Sequence, residues 1–386
     1  MGHRRFLPTD HPFRKLKKVF NGKQEWNEPP TTLSGEEIFE MVENIETKFG
    51  KIKVKKRKRD DGDEDVVKKL FKKKSIFFTL EYWKHLLIRH VLDVMHIEKN
   101  VCENIYGTIL HQTGKRKDGI NARKDLEHFQ VRGKLVPEKN NKVLPPAPYT
   151  LSKKEKHMFC ETLQGIKVPY GYSSNFRNLV SMDDYRLQGL KSHDCHTLMQ
   201  QLLPLAIRNC LPVTVRTAII RLCYFFNSLC SKVVEPDTLD LLQKELVITL
   251  CLLEQYFLPI FFDIMIHLRV HLIDQVKLCG PIYLLWMYPF ERDMKNLKGY
   301  VRSRKHPEGC IAENYIAEES LQFCAEYISN CQTIGISRNY LHDFMIEKPL
   351  GGSNTKLIDA STLAQAHLCV LLNTIEIEPY IGYVSC

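Results

Sequence analysis

Asp93 and His96 stand three residues apart, after an apolar run and just before a run of helical period. A carboxylate there is where α/β folds present catalytic acids, because ligands gather at the carboxyl ends of strands. Spacing alone favours a plainer reading, a solvated aspartate with a hydrogen-bonded histidine. Asp263, His267 and His271 follow at i, i+4 and i+8, which puts them on one helical face. Imidazole and carboxylate suit Zn or Mn, yet Leu268 stands where the zinc-protease signature needs a glutamate. Satisfied helix histidines are the better-supported reading of that trio. His193, Asp194 and His196 make a compact cluster with no standard ligand spacing. Lys295, Lys298 and Arg302 form a basic stripe that continues into Arg304 and Lys305, and such a face can neutralise phosphates with salt-dependent affinity. An ordinary solvated face has the same pattern. No Gly-rich phosphate loop and no Gly-x-Ser-x-Gly elbow occurs, so nucleotide-hydrolase and esterase readings lose support.

Positioning those residues requires elements that the periodicity outlines. Ser34 and Glu37 form a capping box, and Ile38, Met41, Val42, Ile45 and Phe49 repeat at helical spacing up to Gly50. Ser75–Leu80 is rich in β-formers, and Trp83–Ile97 reads as a strand or buried segment. Ile97, Val101, Ile105 and Ile109 then recur every four residues, predicting an amphipathic helix that ends near Gly114. Lys115–Tyr149 is polar, rich in Lys and closed by Pro145, Pro146 and Pro148, the pattern of an exposed connection. Helical periods dominate from Leu151 to Asn330. Pro236 and Asp237 start one helix carrying Leu239, Leu242, Leu246, Leu250 and Leu253, and Phe290, Met294, Leu297 and Val301 form another apolar face. Beyond Cys331 lie a Gly/Ser/Asn-rich loop at Gly351–Asn354 and a short apolar helix at Leu363–Leu372.

The chain has 386 residues, 44% of them hydrophobic and 26% charged, which is globular composition and excludes a wholly disordered or collagen-like chain. Its net charge of +10 is concentrated: Lys51–Lys74 alone is net +7. That block reads as a solvated linker, and its Lys53–Arg59 run, KVKKRKR, as a nuclear-import signal or nucleic-acid patch. The 13 cysteines never stand two to four apart, so no zinc knuckle is legible, and most read as small buried thiols. The longest apolar stretches fall short of the ~20 residues a membrane helix needs. No membrane partner is expected.

Several strings together are more specific. GHRRFLP (Gly2–Pro8), LSGEEI (Leu33–Ile38), LDVMHIEKNVCENIYGTIL (Leu92–Leu110), LKSHDCHTLMQQLLPLAIR (Leu190–Arg208), FFDIMIHLRVHL (Phe261–Leu272) and WMYPFERDMKNLKGYVRSRKHPEG (Trp286–Gly309) resemble the plant En/Spm (CACTA) transposase family over nearly the whole chain. The first part resembles the C-terminal portion of the catalytic region. Roughly Val180–Asn330 resembles the uncharacterised domain that follows it. The resemblance implies an RNase H-like core in which carboxylates hold two divalent ions, Mg or Mn, for phosphodiester cleavage and strand transfer. It makes Asp93 the second catalytic aspartate, with His96 completing an Asp-x-x-His signature and Glu291 the first choice for the closing glutamate. In relatives the first acidic residue lies upstream of GHRRFLP, which implies a truncated transposase with an incomplete triad.

The resulting expectation is a mainly α protein with an α/β portion. It divides into a basic segment and helix at 1–50, a charged linker at 51–75 and the strand–helix part of a partial RNase H-like transposase core at 76–114. A polar connection at 115–150, a helical domain at 151–330 and a loosely ordered tail at 331–386 complete it. The expected partners are DNA through Lys295, Lys298, Arg302, Arg304 and Lys305, and an intact transposase or a second copy, in the nucleus. A non-catalytic interaction module is the alternative, and a metal-dependent hydrolase on Asp263, His267 and His271 the third.

Overall fold

The structure, a computed structural model, describes residues 2–45, 71, 73–137, 144–168, 175–327 and 359–372. They fall into two units, one of Met1–Val168 with Ser174–Tyr315 and one of Pro169–Ser173 with Ile316–Cys386. Among the described residues, the helices of eight residues or more are α1 (Gly35–Val42), α2 (Val94–Ile109), α3 (Ile120–His128), α4 (Lys153–Gly165), α5 (Val213–Leu229), α6 (Pro236–Tyr256), α7 (Arg269–Cys279), α8 (Tyr288–Tyr300), α9 (Pro307–Tyr327) and α10 (Ala360–Leu372). Among the described residues the only sheet is a two-residue antiparallel pair, Val180 opposite Leu187 and Ser181 opposite Arg186. The protein is mainly helical, as expected.

In the first unit α2 lies at the centre. Val94, Ile97, Val101, Cys102, Ile105, Tyr106 and Ile109 are all buried, a set too wide for a single stripe, so α2 packs on several sides. The short helix Ser192–Thr197 packs against it, and α5 packs against α6, which packs in turn on α7. Pro236 stands at the first position of α6, where its missing N–H costs nothing. Gly107 faces the chain just after α2: a Cβ there would sit 2.7 Å from the Lys115 side chain and 2.8 Å from its backbone. Gly107→Ala is therefore expected to lose about 1–3 kcal/mol of unfolding free energy, measured by denaturant titration.

The GHRRFLP segment is tied down by its own charged side chains. Arg4, buried over the Phe20 ring at 4.4 Å, donates to the carbonyls of Leu16 (2.8 Å) and Lys23 (3.1 Å) and to Asn21 Oδ1 (2.9 Å). Arg14 donates to the carbonyls of Arg5 and Leu7, each at 2.7 Å. His3 Nδ1 meets the buried Glu254 carboxylate at 2.7 Å, and the His3 backbone N–H donates to the same oxygen at 3.3 Å. Burial pushes the Glu254 carboxyl up, but the His3 hydrogen bonds and charge outweigh it and hold the carboxyl below its ordinary value. A lowered carboxylate stabilises the fold above its unfolded pKa of about 4.3, and that stabilisation is lost as pH falls through the folded value. Thermal unfolding followed from pH 7 to pH 3 is therefore expected to show a steeper acid loss of stability in the parent chain than in Glu254→Gln.

Several expectations are corrected here. The strand predicted within 76–97 is absent: Ile76–Thr79 and Trp83–His85 are 3-10 turns, and Leu87 is 83% exposed. Strand formers need a neighbouring ladder, and here the aromatics stack instead, Phe77 on Trp83 at 4.7 Å and Phe78 near Phe39 at 5.7 Å. Of the 76–114 segment, the helix forms and the strand does not. Residues 115–150 are not simply an exposed connection. They hold α3, and Ala122, Leu126, Val131, Ala147 and Tyr149 enter the main core. The polar residues that suggested a linker are internally paired: Arg123 donates to Asp118 at 2.6 and 2.7 Å and to the Leu135 carbonyl at 2.9 Å, and Tyr149 OH donates to Asp118 at 3.0 Å.

The Ser34–Glu37 capping box is present and starts α1 at Gly35, while residues 46–50 of the predicted helix lie outside the described residues. The charged linker at 51–75 lies outside them except for residues 71 and 73–75, and so does the Gly351–Asn354 loop. Of the tail, residues 359–372 are described and form α10 with its N-terminal flank. Ten cysteines, Cys102 to Cys324, are free thiols, and six of them are buried. No helix among the described residues is long and apolar enough to cross a membrane.

Candidate functional site

Asp93 is the N-cap of α2, its carboxylate accepting the His96 backbone N–H at 3.3 Å, and the His96 side chain is exposed. That geometry satisfies one of the orphan donors at the helix start. The preceding Leu92 N–H donates to Gln275 Oε1 of α7 at 3.1 Å, which fixes where the cap sits. Glu291 lies in the first turn of α8 and is exposed. Neither carboxylate belongs to a group of three or more metal-ligand side chains among the described residues.

Asp263, His267 and His271 are not one helical face. Asp263 caps a four-residue helix, Ile264–His267, and a separate helix, α7, starts at Arg269. The Asp263 carboxylate is engaged by Asn104 Nδ2 at 2.9 Å and Lys117 Nζ at 3.2 Å. His267 sits among rings, 5.7 Å from His3, 6.3 Å from Phe6 and 5.3 Å from His271. Burial, then the neighbouring His3 and His271, lower its pKa.

The basic stripe is exposed in full but only partly helical. α8 ends at Tyr300, so Lys295 and Lys298 project from the helix while Arg302, Arg304 and Lys305 follow on extended and bent chain. Among the described residues none of the five forms an ion pair. The apolar side of α8 is also uncovered there, with Tyr288, Phe290 and Met294 60–65% exposed. Cations with aromatics beside them can follow a phosphate backbone and offer stacking surfaces to bases.

A different cluster was not legible in the sequence. Glu98 on α2 is buried, and its Oε2 lies 2.6 Å from His196 Nδ1. Gln200 Nε2 reaches both Glu98 oxygens, at 3.2 and 3.4 Å, and His196 Nδ1 at 3.0 Å. Cys230, the C-cap of α5, completes a group with Glu98 and His196 in which one donor atom from each lies within 4.8 Å of the others. The Trp286 ring stands edge-on to His196 at 5.4 Å. KSHDCH supplied one member, His196, while Glu98 and Cys230 lie 98 and 34 residues away from it. His193 and Asp194, the other two, pair with each other at 3.1 Å.

Compared with known proteins, residues 1–45 match the family described as Transposase family tnp2, and residues 229–340 match a domain of unknown function, DUF4218. The two matches stand in the order that the resemblance gave, the second beginning later than the expected Val180. No curated protein and no solved structure matches the chain. Together the matches support a transposase-family, transposon-derived protein.

Proposed function

We propose that the chain is a DNA-binding protein derived from a plant En/Spm (CACTA) transposase, one that does not cut and paste DNA on its own. The observation that carries the reading is the exposed run Lys295, Lys298, Arg302, Arg304 and Lys305, which forms no ion pair among the described residues, lying within the DUF4218 match of a chain whose start matches a transposase family. The KVKKRKR run at Lys53–Arg59 adds nuclear import to the same reading. The RNase H-like core rests on the resemblance; α2 with its Asp93 cap is what this chain brings to it.

Duplex binding measured from low to moderate salt is the test: affinity should fall steeply, and an unchanged affinity would sink the reading. Nicking assays with Mg should show no difference between the purified chain and Asp93→Ala. A second reading, a protein-interaction module that binds an intact transposase or a second copy, is favoured by the uncovered Tyr288, Phe290 and Met294 face. Its signature is a protein complex that survives nuclease treatment.

A further inference from the structure

Glu98, His196, Gln200 and Cys230 converge from three elements on one point. Glu98 comes from the second turn of α2, His196 and Gln200 from the helix that begins at Ser192, and Cys230 from the end of α5. The second of these elements is irregular in a telling place. Leu198–Leu202 is a π-helical turn, of the kind that single insertions produce and that recurs at functional sites. It lets His196, just before the turn, and Gln200, within it, both aim at the Glu98 carboxylate.

As a hydrogen-bond network the group is poorly matched. His196 Nδ1 has a carboxylate oxygen at 2.6 Å and an amide nitrogen at 3.0 Å. If Nδ1 carries its proton it can serve Glu98 but faces a second donor in the amide; if it does not, Glu98 must carry the proton. Turning the amide round leaves its oxygen against the carboxylate. A cation placed among these lone pairs removes the conflict.

We propose that Glu98, His196 and Cys230 form a zinc site, with Gln200 or water as the fourth ligand. Thiolate, imidazole and carboxylate together suit Zn²⁺, and three protein ligands plus one further oxygen make its tetrahedral shell. Tetrahedral bonds of about 2.0–2.1 Å to nitrogen and oxygen separate those two atoms by about 3.3 Å. The present 2.6 Å contact needs to open by less than an ångström. On binding, the Cys230 thiol proton and the proton held between Glu98 and His196 are released to solvent, and the metal takes the thiolate. Protons compete with the metal for these ligand atoms, so loading should be weaker at low pH. The site would staple α2, the π turn and α5 together, one and a half turns below the Asp93 cap.

The test is a Co²⁺ titration of the purified full chain. One equivalent should give tetrahedral d–d bands and a thiolate-to-cobalt charge-transfer band, both displaced by Zn²⁺. Cys230→Ser should abolish the charge-transfer band. His196→Gln should weaken binding more than about 100-fold while retaining the far-ultraviolet circular dichroism of the parent. Cys279→Ser, which alters an exposed thiol, should leave the spectrum unchanged. A folded parent chain with no charge-transfer band, a band that survives Cys230→Ser, or one lost in Cys279→Ser would each overturn the proposal. Zn²⁺ should also raise the melting temperature of the parent and not of His196→Gln; equal shifts would count against the site.

Discussion

Exchanging Lys295, Lys298, Arg302, Arg304 and Lys305 together for glutamine is expected to flatten the salt dependence of DNA binding by about 4 to 5 units of log K per log salt, at about 0.9 per phosphate neutralised on duplex DNA. Between 50 and 200 mM salt that slope is worth about 500-fold in affinity, the loss expected of the parent chain and absent from the variant. All five side chains are exposed, and among the described residues none is tied to a carboxylate, so their removal should leave the melting temperature nearly unchanged. The variant series also separates this surface from the Lys53–Arg59 run. If the quintuple variant keeps the parent slope and exchanging the KVKKRKR cations removes it, the phosphates are met by that run and the α8 assignment is wrong. Binding measured on random-sequence duplex is sufficient, because phosphate contacts carry no sequence information.

Arg123→Ala should be the most damaging single change in the first unit, costing about 3–5 kcal/mol, because it leaves a buried carboxylate without its partner. Arg123 and Asp118 side chains are each 1% exposed, and the pair is bidentate. Burial alone would lower the Arg123 pKa, but its bonds to Asp118 outweigh this and raise it, so the guanidinium stays charged. Asp118→Ala should cost a similar amount, and the double change to apolar residues of like volume should recover much of it. Chemical denaturation of the three variants decides the matter. A loss under 1 kcal/mol for Arg123→Ala would mean that the pair is hydrated in solution.

Arg123 also shows where reading the sequence stops. Lys115–Tyr149 looked like a solvated connection because its residues are polar, and polarity is silent about pairing. Only the fold brings Asp118, Arg123 and Tyr149 together and lets a charged stretch contribute to a core. The apolar four-residue repeat of α2 and the Ser34–Glu37 box were legible, since both are written within a turn or two of chain. The 76–92 segment was misread because short aromatic and β-branched runs fit a strand, a turn or a buried helix equally; its partners, Phe39 among them, come from elsewhere. The basic stripe was legible as composition but not as geometry, because α8 stops at Tyr300 before Arg302. Glu98, His196 and Cys230 had no local spacing to announce them. Glu98 stands about one and a half turns after Asp93 on α2, which places it inside the packed body.

Two of the three arginines of the first 14 residues carry one more implication. Arg4 and Arg14 hold their segment chiefly through backbone carbonyls, those of Leu16, Lys23, Arg5 and Leu7. A carbonyl is supplied by every amino acid, so the residues that accept these bonds can drift with little penalty while the donors cannot. Lysine, with one ammonium in place of a planar fork, would not reach the same set of oxygens. Across related chains this segment should therefore vary at its acceptor positions and hold arginine at its two donors, a pattern of substitution set by the direction of its hydrogen bonds.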